Sequence, residues 1–345
     1  MHEPTGQSAG RLPTDDAAMG LTASGQADPP ATEAADPGVE PPAPAAAAQL
    51  LASPPAAWHP REAAETSSHR SASLYARHPS GERQTARPLA APGWLQDLAG
   101  AWIFYSVLPA WPGITPRFER IARFAPWIGA LLGGLQALLW WLLDGRVPLL
   151  AQVCLVLALA LVLSGGLHMD GAMDTADGLA AGERLLEAMA DSRVGASGVQ
   201  ALVVVLLLRA GALAALAPLA PTGLLWAAFW GRVAPLIAMA RFPYLRERGS
   251  AAFHRRHRAG LALELRPALL LLAPLLAVSL WLGKAAPLPL LIGLLGCLPA
   301  VAVPLWLGRR LGGHSGDSYG ACVEWVESLA LLVMALALVV AGDPR

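Results

Sequence analysis

A succession of long apolar blocks, beginning at Trp94 and running almost to the C-terminus, limits what this chain can fold into more than any other feature. A helix that crosses the hydrocarbon layer, about 30 Å thick, needs roughly 17–25 mostly apolar residues. Seven blocks meet or approach that length: Trp127–Leu143, Val147–Leu163, Val199–Ala220, Leu224–Phe242, Pro267–Leu282, Leu288–Leu307 and Ser328–Ala341. The last reaches it once Trp325 and Val326 join. With 55% of residues hydrophobic and only 14% charged, the apolar content exceeds what a water-soluble core needs. The expected fold is all-α, a polytopic integral membrane helical bundle of about seven spans. Trp94–Leu108 is amphipathic and is expected to lie in the interface. Trp127, Trp140, Trp141, Trp226, Trp281 and Trp306 fall at or near block ends, where indole rings favour the headgroup layer.

Residues 1–92 differ in kind. Runs such as "PPAPAAAA" and "ASPPAA" carry no apolar periodicity, and they lack the aromatic and β-branched residues that could offset ordering entropy. This Ala/Pro-rich extension is expected to be disordered and dispensable, and it lacks the pattern of a secretory signal. Residues 93–345 form the membrane-embedded domain. A formal net charge of +0 gives no global field toward nucleic acid. Cys154, Cys297 and Cys322 have no CxxC spacing and read as small hydrophobes rather than zinc ligands.

Basic residues set the expected orientation. Arg117, Arg120 and Arg123, then Arg184 and Arg193, then the arginines from 246 to 266, then Arg309 and Arg310 occupy alternate loops. The intervening loops hold only Arg146 and Lys284. The arginine-rich loops are therefore expected in the cytoplasm, and every polar, motif-like segment falls among them.

The densest chemistry lies in "SGGLHMDGAMDTADGLAAGERLLEAMADSRVGASG", residues 164–198. If it is helical, Asp170, Asp174 and Asp177 share one face within about 60° of each other. Three like charges there repel unless a cation joins them, and an oxygen-only set suits Mg²⁺ or Mn²⁺. A solvated acidic loop is the plain alternative. Glu187 and Asp191 repeat the i, i+4 spacing, Asp191 as ligand or base, while Arg193 suits bidentate phosphate binding. His168 reads as a hydrogen-bonding histidine more readily than as a base or ligand. The segment "GRRLGGHSGDSYGACVEWVE" offers Asp317, Glu324 and a glycine-rich loop, Gly316 included, whose N–H groups would cradle an anion. In the basic segment "RFPYLRERGSAAFHRRHR", Arg246 and Gly249 lie closest to the membrane. Arg209 and Arg232 sit inside apolar blocks, where an unpaired charge costs about 2.5–3.5 kcal/mol, so each is expected to find a partner or a phosphate.

From Trp94 onward the chain resembles the cobalamin synthases, or adenosylcobinamide-GDP ribazoletransferases. "GGLHMDGAMDTADGL" and "EAMADSRVGASG" are similar to the family's GGxHxDGxxDxxDG and MxDSRxGxxG signatures. "RFERIARFAPWIGALLGG", with Arg120, Arg123, Pro126 and Gly129, resembles its early segment, and "GRVAPLIAMARFPYLRERGSAAF" and "GGHSGDSYGACVEWVE" its two later ones. The resemblance implies an Mg²⁺-dependent transferase of the cytoplasmic (inner) membrane. Its reactants would be adenosylcobinamide-GDP and α-ribazole or its 5′-phosphate, its by-product GMP, and its surroundings the lipid bilayer and other corrinoid-pathway enzymes. It implies Asp170, Asp174 and Asp177 as metal ligands and Asp191, Arg193 and Asp317 as catalytic groups, with Arg246, Arg232, Gly249 and Gly316 on the substrates. CDP-alcohol phosphotransferases also use spaced aspartates and Mg²⁺, but Asp174 and Thr175 stand where their pattern wants Ala-Arg. A transporter using Arg209 and Arg232 would leave the acidic segment unexplained.

The head carries no predicted span and no motif residue. Deleting Met1 to Pro88 is expected to leave membrane insertion and turnover nearly unchanged. A truncated protein that inserts normally but has lost its activity would show that the head contributes to the site.

Overall fold

The computed structural model describes residues 91–246, 257, 259–282 and 287–341; the Ala/Pro-rich head and Gly249 lie outside them. Among the described residues every named element is helical: α1 (Gly93–Tyr105), α2 (Ala125–Leu143), α3 (Leu149–Ser164), α4 (Leu167–Ala180), the single turn α5 (Leu185–Ala188), α6 (Ala196–Leu216), α7 (Ala220–Arg241), α8 (Leu261–Leu282), α9 (Pro287–Leu294), α10 (Cys297–Leu311) and α11 (Gly316–Val340). Helices α7 and α11 pack along each other. α7 is also covered by α2, while α11 receives α4, α6 and α10. The core between them is apolar, with Trp226, Phe229, Leu213 and Met334 fully buried. The outer surface is apolar too: Leu150, Leu270, Trp281 and Val340 are between 73% and 86% exposed. In water such a surface would associate, whereas in a bilayer it is the ordinary lipid-facing side.

Five helical stretches are long and apolar enough to cross a membrane, and the bent pair α3–α4 counts as a sixth. The longest, Ala196–Arg241, is itself two crossings. Arg209 and Arg232 both form ion pairs with Glu327. On one straight helix they would stand about 35 Å apart at 1.5 Å per residue. The chain instead reverses at Ala217, whose φ of 34° is the one positive value at a non-glycine among the described residues. Split there, α6 and α7 become separate neighbours of α11, which gives seven apolar segments among the described residues.

The α3–α4 bend of 91° has a local cause. Gly165 and Gly166 have φ of 62° and 71°, left-handed values that side chains with a Cβ rarely adopt. Their N–H groups close the end of α3 on the carbonyls of Val162 and Leu161, each at 3.0 Å. The polar helix α4 therefore leaves the direction of the crossing instead of extending it.

Two expectations are corrected. Trp140 and Trp226 are buried, not in the headgroup layer. Trp226 is accommodated because its Nε1–H donates to Ser279 Oγ at 2.7 Å, which satisfies its one polar atom inside the bundle. Helix α1 does not present its acid to water: Asp97 is fully buried and binds Arg117 at 2.5 Å and also Arg123. This clamp fixes α1 to the turn at Ile121–Phe124.

Contacts between loops gather the polar segments at one end of the bundle. Arg120 meets Glu264 at 2.9 Å, Leu245 N–H donates to the His314 carbonyl at 2.8 Å, and Arg246 meets Asp317 at 3.0 Å. With Cys154 and Cys297 replaced by serine, cysteines at Glu183 and Arg310 are expected to react with an impermeant maleimide from one side only. A cysteine at Asp144 should react only from the other. Labelling of the first two from opposite sides would refute the shared end.

Candidate active site

The sequence 167–180 is helical as its spacing required, so Asp170, Asp174 and Asp177 do share a face of α4. All three are half-buried. What places them is the docking of α4 onto the start of α11 through small residues. A Cβ on Gly171 would come 2.5 Å from the Asp317 carbonyl oxygen and 3.0 Å from its Cα. Asp170 and Asp174 flank that contact on the sequence, so two α4 carboxylates stand beside the first turn of α11.

That first turn is rigidly built. Ser315 caps α11, its Oγ accepting from Ser318 N–H at 3.2 Å while Ser315 N–H donates to Ser318 Oγ at 2.8 Å. This reciprocal box satisfies two of the donors a helix start leaves open. Gly316 and Asp317 are therefore the opening residues of a 25-residue helix rather than part of a loose glycine loop. His314 beneath them is fully buried between Ser318 Oγ, 3.0 Å from Nδ1, and the Pro304 carbonyl, 3.1 Å from Nε2. Burial pushes its pKa down to about 4, so it is neutral at physiological pH, and the proton belongs on the nitrogen facing the carbonyl. The segment after α7 zips onto the same loop: Tyr244 bridges to His314, and His314 N–H donates to the Pro243 carbonyl at 2.9 Å. Arg246 thereby arrives at Asp317, both of them partly exposed.

The other expected residues fall elsewhere. Asp177 behaves as a helix cap: its two oxygens accept from Gly195 N–H and Gly198 N–H, each at 2.8 Å, which pins α4 to the first turn of α6. Asp191 and Arg193 hold each other, with Nη2 to Oδ2 at 2.7 Å and Nε within 3.1 Å of both oxygens. These bonds raise the pKa of the largely exposed guanidinium. Arg232, expected on the substrate, is buried inside the bundle and paired with Glu327. Its charge is met by a glutamate because α7 passes α11 at that depth. Glu324 is likewise buried, 2.7 Å from Arg209. His168 lies under α4 with its ring stacked on Tyr105, centroids 6.2 Å apart.

Sequence reasoning missed Asp97, Glu264, His314 and Glu327. Only Glu327 left a usable signal, as an acid inside an apolar block in a chain that also buries two arginines.

No three His, Cys, Asp or Glu side chains among the described residues could enclose a metal by themselves. That does not disqualify Mg²⁺, which commonly takes one or two carboxylates and completes its shell with water and substrate phosphate. Asp170 and Asp174 fit that requirement in chemistry and spacing. Asp177, occupied by two backbone donors, fits it less well.

A family model described as cobalamin-5-phosphate synthase matches residues 97–335. The chain belongs to the cobalamin-5-phosphate synthase family. A protein of Prochlorococcus marinus (strain MIT 9303) named adenosylcobinamide-GDP ribazoletransferase is 62% identical over 257 residues, covering 72% of this chain and 99% of that protein. Proteins of the same name from P. marinus (strain MIT 9313) and Thermosynechococcus vestitus are 61% and 42% identical, covering 72% and 69% of this chain and 99% and 95% of their own. No solved structure matches the chain. The family match spans every segment that meets at the bundle end and excludes the head.

Asp177→Ala removes the acceptor for two part-buried N–H groups and is expected to cost about 1 kcal/mol or more of stability. A thermal-shift measurement in detergent checks it. An unchanged melting temperature would show that the α4–α6 junction does not depend on this cap.

Proposed function

We propose that this chain joins adenosylcobinamide-GDP to α-ribazole or α-ribazole 5′-phosphate, giving adenosylcobalamin or its 5′-phosphate and releasing GMP. One observation carries the assignment of the site: α4 meets α11 at Gly171 and Asp317, so Asp170 and Asp174 stand next to the Asp317–Arg246 pair. Carboxylates to hold a cation and a guanidinium to meet phosphate are the parts that phosphoryl transfer needs, because positioning and charge neutralisation supply most of its catalysis.

In this reading an oxygen of the ribazole attacks the corrinoid-side phosphorus, and the anhydride bond to GMP breaks. GMP leaves with the bridging oxygen. The nucleophile is a ribose hydroxyl with either substrate, since the phosphorylated one keeps its 5′-phosphate in the product, and Asp191 takes the hydroxyl proton. Arg246 neutralises phosphate charge, and Asp317 holds its guanidinium in place. The start of α11 at Gly316 presents N–H groups and the positive end of the helix dipole to the same phosphates. Arg193, with Asp191 on one edge, keeps its remaining donors for a substrate oxygen. Asp170 and Asp174 would hold Mg²⁺, which when bound offsets the negative charge of the anhydride. The site faces the cytoplasm from the inner membrane, a placement supported by the arginines concentrated at that end.

Membranes containing the protein should convert adenosylcobinamide-GDP and α-ribazole into adenosylcobalamin with one GMP per product, and chelation should stop the reaction. Asp174→Asn, nearly isosteric, should lower turnover at least about a hundredfold with expression unchanged. If CDP-diacylglycerol is consumed instead and no GMP appears with either ribazole, the reading is wrong.

A further inference from the structure

A cavity of about 320 Å³ opens beside the last turns of α7, at the end of the bundle where Arg120 meets Glu264. Among the described residues, none that lines it belongs to the site described above. Its wall is the last turn and a half of α7, through Leu236, Met239 and Ala240, and its mouth is formed by Glu119, Arg120 and Glu264. The volume lies at the low end for small-molecule sites, which are mostly apolar with a few fixed polar groups.

The mouth is built rather than incidental. Glu264 is buried, and its Oε1 accepts from Arg120 Nη2 at 2.9 Å and from Ala259 N–H at 2.7 Å. The ion pair joins the start of α8 to the segment before α2. Trp127 Nε1–H, donating to the Pro267 carbonyl at 2.7 Å, braces the start of α2 against α8 nearby. Against this satisfied pair one donor is left over: Arg120 Nε is buried and has no hydrogen-bond partner. A buried N–H without an acceptor costs about 1–3 kcal/mol, so an acceptor supplied by a ligand would relieve it.

An apolar wall, an ion pair at the mouth and a buried donor without a partner suit a heterocycle carrying hydroxyls. We propose that this cavity seats an uncharged bicyclic base with its ribose. The inference rests on the transfer reading above, in which both reactants carry such a group, the guanosine of the donor and the ribazole of the acceptor. Chain geometry supports it. Ala240 and Arg246 are six residues apart, so by extended chain length their Cα atoms lie within about 20 Å of each other. The five residues from the end of α7 to Arg246 thus limit how far a phosphate at Arg246 can stand from the cavity wall.

Equilibrium binding of GMP and of α-ribazole, each alone, to the full chain in nanodiscs tests the proposal. Ala240→Trp places an indole in the cavity, and Arg120→Lys keeps a cation but removes the unpartnered Nε–H. Ala240→Trp is expected to weaken one probe by at least about tenfold and leave the other within about twofold, with Arg120→Lys weakening the same probe. Loss of GMP assigns the cavity to the donor's guanosine, and loss of α-ribazole assigns it to the acceptor. The proposal is overturned if both probes bind the filled variant as they bind wild type, if both weaken equally, or if neither binds wild type. Should Ala240→Trp fail to fold, Met239→Phe is read by the same criteria. Failure of the transfer reading looks different: wild type would release no GMP from adenosylcobinamide-GDP, while the probes still bound and still responded to the variants.

Discussion

The bundle depends on four charges buried where water does not reach. Arg209 on α6 meets Glu324 at 2.7 Å and Glu327 at 3.2 Å, and Arg232 on α7 meets Glu327 from the other side. Ser328 Oγ and the Glu324 carbonyl accept two further guanidinium N–H groups of Arg209, at 3.0 and 2.9 Å. Singly, each charge would be costly inside a membrane, and removing one partner from a buried pair typically costs about 3–5 kcal/mol. Together they leave only one favourable register in which α6 and α7 can flank α11. That register reaches the site. Asp317 stands ten residues before Glu327 on one unbroken helix, so the ion cluster sets its depth about 15 Å away.

Glycine performs the complementary task at the surface. The left-handed pair Gly165–Gly166 turns α4 away from α3, and Gly171 lets its backbone rest on Asp317. Gly320 continues the seam, since a Cβ there would meet the His168 carbonyl at 2.9 Å. A larger residue at any point along this line would lift α4 and carry Asp170 and Asp174 off the first turn of α11. Asp177 holds the other end of the helix to α6. The acidic helix is thus gripped at both ends, with Asp170 and Asp174 half-buried.

The sequence made the architecture legible because both of its signals are local. Block length gives crossings, and the i, i+4, i+7 pattern gives a face of α4 as soon as the segment is helical. Partners were not legible. Periodicity tells that Arg209 and Arg232 are buried, but not that both answer to Glu327, about a hundred residues further along the chain. For the same reason Arg232 looked like a phosphate ligand, and nothing local marked Asp97 as the partner of Arg117 and Arg123. Asp177 could not be told from Asp170 and Asp174 by spacing alone. Only the arrival of α6 above it, with two N–H groups in need of an acceptor, separates a cap from its neighbours. Tryptophan position misled in a similar way. Trp226 is near a block end, yet Ser279 on another helix gives its N–H a partner and allows it inside.

These constraints together explain why an all-helical membrane bundle suits a reaction between polar groups. Helix α7 carries three duties: Arg232 in the ion cluster, Ala234 and Ala238 in the core shared with α11, and, on the turns after Arg232, Leu236, Met239 and Ala240 on the cavity wall. Because its position is fixed by buried charge deep in the bundle, the segment leaving its end delivers Arg246 to Asp317 without a mobile hinge among the described residues. Preorganisation of this kind matters most for phosphoryl transfer, where protein dipoles and charges must already be in place when charge develops. The membrane supplies the low dielectric that makes the Arg209–Glu324–Glu327–Arg232 cluster decisive for packing. The packing in turn keeps Asp170, Asp174, Asp317 and Arg246 in register at one end of the bundle, which is what the proposed transfer site asks of the apolar majority of the chain.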